Sequence, residues 1–149
     1  MKPLVVLIAA FVLTTITSKF AAGTGNLPFA GNLAMFLMLC LTASGHFMFK
    51  KGMTLMMPPF MPFKTKLVVL TGIAEIALGI CLLFPAVRIN AGYTLIIFFI
   101  LILPSNIYAA IKHVNIEKGT YDGPGLSYLW LRIPLQVFFI GWIWYFSIR

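Results

Sequence analysis

The sequence predicts an all-α fold, a polytopic transmembrane helix bundle in one domain. Two observations carry that expectation. Of 149 residues, 61% are hydrophobic and only 9% are charged, where soluble domains run at about 45–50% apolar and about 25% charged. Mean hydropathy is +1.01, and the apolar residues gather into five stretches near the length of about 20 helical residues that a bilayer core demands. The balance excludes a soluble enzyme, a disordered chain and a nucleic-acid-binding domain. The net charge of +8 falls between the apolar runs, where bases act as topology signals and headgroup contacts.

The first helix is expected over 3–22. Lys2, the apolar run and the small-residue end Phe20-Ala21-Ala22-Gly23 imitate a signal peptide, but the segment is read as a retained span. Gly23, Gly25, Asn26 and Pro28 then make a turn. The second helix is expected over 29–49. Next comes KKGMTLMMPPFMPFKTK, apolar between basic flanks, with Pro58, Pro59 and Pro62 opposing continuous helix. It is expected to lie at the interface or to fold over the mouth of the bundle. A third helix over 67–84 is slightly short and leans on Lys64, Lys66 and Arg88. A fourth is expected over 91–110 and a fifth over 126–146. In the last, Trp130 fits the inner aromatic belt, and Trp142, Trp144 and Tyr145 the outer one.

With five spans, Lys2, Lys50, Lys51, Lys64, Lys66, Lys112 and Lys118 fall on one side of the membrane, and Lys19, Arg88 and Arg149 on the other. The positive-inside rule makes the first side cytoplasmic, with the N-terminus inside and the C-terminus outside.

Polar residues within spans are costly, about 2.5–3.5 kcal/mol for an ionised group at the helix centre, so the few present are informative. Gly72, Glu75, Ile76, Gly79 and Leu83 share a face of the third helix. The glycines there favour close helix packing around the carboxylate. His46 lies with Thr42 on the second helix. Asn106 follows Pro104 on the fourth and shares a face with Ala109, Ala110 and His113. Tyr128, Arg132 and Gln136 share a face of the fifth. At about 1.5 Å per residue, His46, Asn106, Arg132 and Glu75 lie roughly 5, 8, 9 and 13 Å from the same membrane face. One polar intramembrane pocket of His46, Glu75, Asn106, Tyr128, Arg132 and Gln136 is therefore expected under the Met- and Pro-rich loop, with Glu75 and Arg132 as its pair. Such a pair serves either helix register alone or a ligand- or proton-handling site. Arg132 also has the option of snorkelling to headgroups.

No metal site or cofactor is predicted. A bis-histidine haem on His46 and His113 and a Cu(I) site on Met48, Met53, Met56, Met57 and Met61 are weighed and set below an exposed helix-end histidine and apolar loop packing. Cys40 and Cys81 stand alone in apolar runs, without the C-x-x-C of dithiol chemistry. They are read as small buried hydrophobes.

Between about Leu33 and Phe146 the chain resembles the DoxX-like family of small bacterial membrane proteins. The resemblance rests on GHFMFKKGM, TGIAEIALGICLLFPAVRINAG, LPSNIYAAIKH and YLWLRIPLQ, in that order. It implies a four-helix membrane bundle in the bacterial inner membrane; the additional N-terminal span departs from that pattern. The family is named for a subunit associated with quinol oxidase and thiosulfate:quinone oxidoreductase activity. The function expected here is an accessory subunit of a larger, respiratory-type membrane complex, not a stand-alone enzyme. The alternatives are a quinone-linked redox component, with Glu75 as proton carrier, or a binder of a lipophilic small molecule. The expected partners are membrane lipids and other membrane subunits or further copies of the chain. Quinone or lipid is the ligand to consider, and nucleic acid is not a partner.

Overall fold

The computed structural model describes residues 2–23 and 26–149, and it is all-α. Helices run α1 Lys2–Ala22, α2 Leu27–Met48, α3 Lys50–Leu55, α4 Lys64–Leu82, α5 Arg88–Ile111 and α6 Ser127–Ile143, the last running into a π-helical turn at Trp144–Ile148. Five of them are long and apolar enough to cross a membrane, so the chain has the build of a multi-pass membrane protein. Among the described residues there is no strand, only an isolated bridge between Asn115 and Thr120.

The helix ends follow local chemistry. Asn26 caps α2, its side-chain oxygen accepting from Phe29 N at 3.1 Å, and Pro28 sits in the first turn, where its missing N–H costs nothing. α4 starts at Lys64, earlier than expected, because Phe63 takes a left-handed turn and its carbonyl accepts from Leu67 N. α5 ends at Ile111, and the chain turns just beyond it at His113, also left-handed at φ 52°. Val114 N bonds Ala109 O at 2.9 Å and His113 N bonds Ala110 O at 3.2 Å, the paired closure usually built on glycine.

α2 is the central helix, packed against α1 and α4; α5 packs against α4 and α6. Glycines set the α2–α4 approach. A Cβ on Gly72 would lie 2.8 Å from His46 Cβ, and one on Gly79 3.0 Å from the Phe36 ring. The core joins Leu7, Met35, Met38, Leu39, Leu82, Leu95, Phe99, Phe139 and Ile143.

The end of the bundle away from α3 is tied by Asn32, which is fully buried. Its amide nitrogen donates to Pro28 O at 2.7 Å and Phe146 O at 2.8 Å, and its oxygen accepts from Ser147 Oγ at 2.6 Å. Trp142, expected in the aromatic belt, instead donates its indole N–H to Gly31 O at 3.0 Å and packs on Phe11, Phe138 and Phe146. A buried indole N–H needs a partner, and the backbone of α2 supplies it. Trp130, Trp144 and Tyr145 stay exposed.

The Met- and Pro-rich segment does fold over the bundle mouth. Its first part is the helix α3, which ends at Leu55; Met56 and Met57 turn the chain into Pro58. Met56 is buried with Ala109 and Val114. Gly52 lies so close to Ile116 O that a Cβ would sit 1.9 Å from it. This roof is thus pinned to the α5–α6 loop. Lys2 Nζ lies 3.9 Å from Glu117 Oε1, which puts the start of α1 at the same end.

Candidate functional site

Below the roof lies a cavity of about 450 Å³, within the range of small-molecule sites, about 300–1,000 Å³. α2, α4, α5 and α6 wall it. Met38, Leu41, Phe99, Ile102, Leu135 and Phe139 give it apolar sides, and Met48, Met53, Met56 and Met57 close the roof end. His46, Glu75, Asn106, Arg132 and Gln136 all border it. Tyr128, expected with them, does not. It sits in the first turn of α6, and its ring lies under the Arg132 guanidinium, 6.0 Å from centroid to Cζ.

The expected Glu75–Arg132 ion pair does not form. Glu75, 3% exposed, has Oε1 3.4 Å from His46 Nε2 and accepts from Thr42 Oγ1 on Oε2 at 2.8 Å. The physical reason is helix order: α4 lies against α2 and α5, whereas Arg132 sits on α6, whose main neighbours are α5 and the π-helical turn. Gly72 brings the α2 backbone close enough for His46 to reach Glu75 first. Thr42, on the second helix beside His46 in the sequence pattern, is the third member of this group.

The far side of the His46 ring fixes its proton. Nδ1 lies 2.9 Å from Val68 O and 3.1 Å from Thr71 Oγ1. A carbonyl only accepts, so Nδ1 carries hydrogen; this assignment rests on the partners' chemistry. Nε2 then faces a carboxylate oxygen. Two lone pairs would repel at that distance, so one proton lies between them. The pair is imidazolium with carboxylate, or imidazole with carboxylic acid, and its net charge is zero either way.

The opposite wall has unmet hydrogen-bonding capacity. Gln136 Nε2 donates to Phe99 O, next to the stretch of α5 where Pro104 removes the N–H that would reach Ile100 O. Among the described residues, Gln136 Oε1 and Asn106 Nδ2 are buried without a hydrogen-bond partner, with Asn106 2% and Gln136 8% exposed. A buried polar group left unsatisfied costs about 1–3 kcal/mol, and such groups call for an explanation, an absent ligand or water among them. Arg132 is half-buried and, among the described residues, has neither an acid within 4.0 Å nor a side-chain hydrogen bond.

Together these residues can solvate the polar head of an apolar molecule. Asn106 Nδ2 offers a donor, Gln136 Oε1 an acceptor, Arg132 a positive charge, and the His46–Glu75 pair a proton. The two histidines do not meet on a common group. His46 has both ring nitrogens engaged, while His113 is exposed and its ring packs over Gly125. Among the described residues no three His, Cys, Asp or Glu side chains gather as metal ligands. Cys40 and Cys81 are free thiols.

Sequence reasoning missed Thr71, Asn32 and Ser147. Each is a lone small polar residue in a span, and the only signal was its presence among apolar neighbours. No curated protein and no solved structure matches the chain. A family model described as "Domain of unknown function (DUF8561)" matches residues 33–147. That stretch runs from within α2 to the π-helical turn and takes in every residue of the cavity except those of α1; the chain belongs to this family.

Proposed function

We propose that the chain is a membrane-embedded binder of a lipophilic small molecule with a polar head. The observation that carries this reading is the pair of buried, unpartnered amide atoms, Asn106 Nδ2 and Gln136 Oε1, on the wall of an otherwise apolar cavity. Apolar pockets with a few convergent polar groups are the usual build of ligand sites. The accessory-subunit role expected from the sequence rested on small size, scarce polar chemistry and the resemblance to an oxidase-associated subunit. The cavity supplies that chemistry, so the binder is preferred. A quinone is one molecule of the right class, its carbonyls suited to the Asn106 donor. Kinship with the DoxX-like proteins is proposed on the motifs between about Leu33 and Phe146 alone. The bias of Lys and Arg supports an orientation with Lys2, the α3 roof and the α5–α6 loop facing the cytoplasm, and the resemblance to DoxX-like proteins is what suggests a bacterial inner membrane.

The test is native mass spectrometry of the protein extracted gently from its own membrane. A reproducible small-molecule mass that is lost in an Asn106→Leu, Gln136→Leu double variant is the expected result. A bare chain, or bulk membrane lipid bound equally to both proteins, refutes the reading.

A further inference from the structure

The charge balance of the cavity narrows the class of ligand, given the binding role proposed above. Five ionisable side chains border it: Lys2, His46, Glu75, Glu117 and Arg132. Lys2 and Glu117 face each other at the exposed rim, 3.9 Å apart, and cancel. His46 and Glu75 share one proton across 3.4 Å and cancel as a pair. Arg132 is left over: a guanidinium that does not lose its charge, in a span, bordering the cavity, stacked on the Tyr128 ring and, among the described residues, with no acid within 4.0 Å. A charge in such a position is expected to find a counter-charge, and among the described residues the one carboxylate inside the bundle, Glu75, is already held by His46 and Thr42.

We propose that the cavity takes an anionic amphiphile with a single apolar chain, its acid head paired with Arg132. Asn106 Nδ2, a buried donor without a partner, gives the head a second hydrogen bond. Gln136 Oε1, one turn beyond Arg132 on the same helix, accepts from a water held against the head. The chain of the ligand lies along Met38, Phe99, Ile102 and Phe139. A volume of about 450 Å³ is on the scale of one such chain. The shared head chemistry is an oxyacid, carboxylate or phosphate, either of which matches the guanidinium fork.

The test is equilibrium binding to the delipidated full-length protein in nanodiscs of zwitterionic lipid. Three probes carry the same chain: oleate, 1-oleoyl-lysophosphatidate and oleyl alcohol. At least one acid is expected to bind saturably at one per chain and about tenfold or more tighter than the alcohol, the scale of a charge-assisted hydrogen bond. Which acid does so identifies the head. Arg132→Gln is expected to bring the acid to the level of the alcohol and to leave the alcohol unchanged, while Arg132→Lys keeps part of the preference. Thermal melting of both variants checks that they fold. Equal binding of acid and alcohol, or an acid preference that survives Arg132→Gln, overturns the anionic head and leaves the binding role standing. Failure of all three probes to bind overturns this inference, while the binding role stands or falls on the native mass measurement.

Discussion

Replacing Glu75 by alanine and by glutamine separates the two things its carboxyl does, holding a proton with His46 and filling hydrogen bonds. Alanine deletes one partner of a buried pair. Such deletions cost about 3–5 kcal/mol when they strand a charge. Here the lower end applies, about 3 kcal/mol, for two reasons. His46 can release the shared proton and become neutral, and Thr42 Oγ1 has Leu39 O at 3.0 Å as an alternative acceptor. Glutamine keeps the shape. Its amide N–H can donate to His46 Nε2, which becomes a neutral acceptor while Nδ1 still donates to Val68 O at 2.9 Å. Its carbonyl can accept from Thr42. The expected loss is then under about 1 kcal/mol, the scale of a single neutral-for-charged exchange. The two variants should differ by about 2 kcal/mol, more than tenfold in the folded-to-unfolded ratio. Reversible unfolding in mixed micelles, with a denaturing detergent titrated into a mild one, measures both. Equal destabilisation by alanine and glutamine would show that the site needs a carboxylate and not only its hydrogen bonds, and the expectation that glutamine substitutes for it would fail. No effect from either would mean that His46 and Glu75 do not meet.

Three further outcomes are expected. Gly52→Ala puts a methyl group into Ile116 O; it should cost about 1–3 kcal/mol through forced backbone shifts and hasten loss of bound ligand, read by unfolding and by dissociation rate. Asn32→Leu strands Phe146 O and the Ser147 hydroxyl at the other end of the bundle; it should cost about 2 kcal/mol with ligand affinity unchanged, and a large affinity loss would count against separate roles for the two ends. In the α5–α6 loop, the Thr120 hydroxyl and Lys118 hold the Asp122 carboxyl below the usual carboxylate range. Order there should be complete above the ordinary aspartate value of about 3.9 and be lost as pH falls below it toward the lowered value. Amide hydrogen exchange over the loop should show that loss in the native protein and not in Asp122→Asn.

The helices were legible because one property, apolar length, decides them. Lys and Arg placement put Lys2, the roof segment and the α5–α6 loop at one end, and the Lys2–Glu117 contact joins them there. Periodicity put Gly72, Glu75 and Gly79 on one face of α4, and those residues are buried together. Trp142 went astray because belt and core tryptophans share a sequence environment. Only the acceptor, Gly31 O on another helix, distinguishes them. The shape of the roof was similarly half-visible: prolines announced an irregular segment, but nothing local revealed that Gly52 would dock against Ile116 O.

The pairing of Glu75 shows why the remainder was hidden. Opposite formal charge favours Arg132, and depth in the membrane allows it. Neighbourhood overrides both, because α6 is not packed on α4 while α2 is. Once α2 lies across Gly72, His46 arrives with its Nδ1 side already anchored on Val68 O, which aims Nε2 at the carboxylate. A weaker titrating base thereby takes the position of a permanent cation, and the permanent cation is left facing the cavity. Had Glu75 met Arg132, the cavity would be neutral and closed to an acid. The glycine at position 72, which carries no chemistry of its own, therefore decides which charge is left for a ligand.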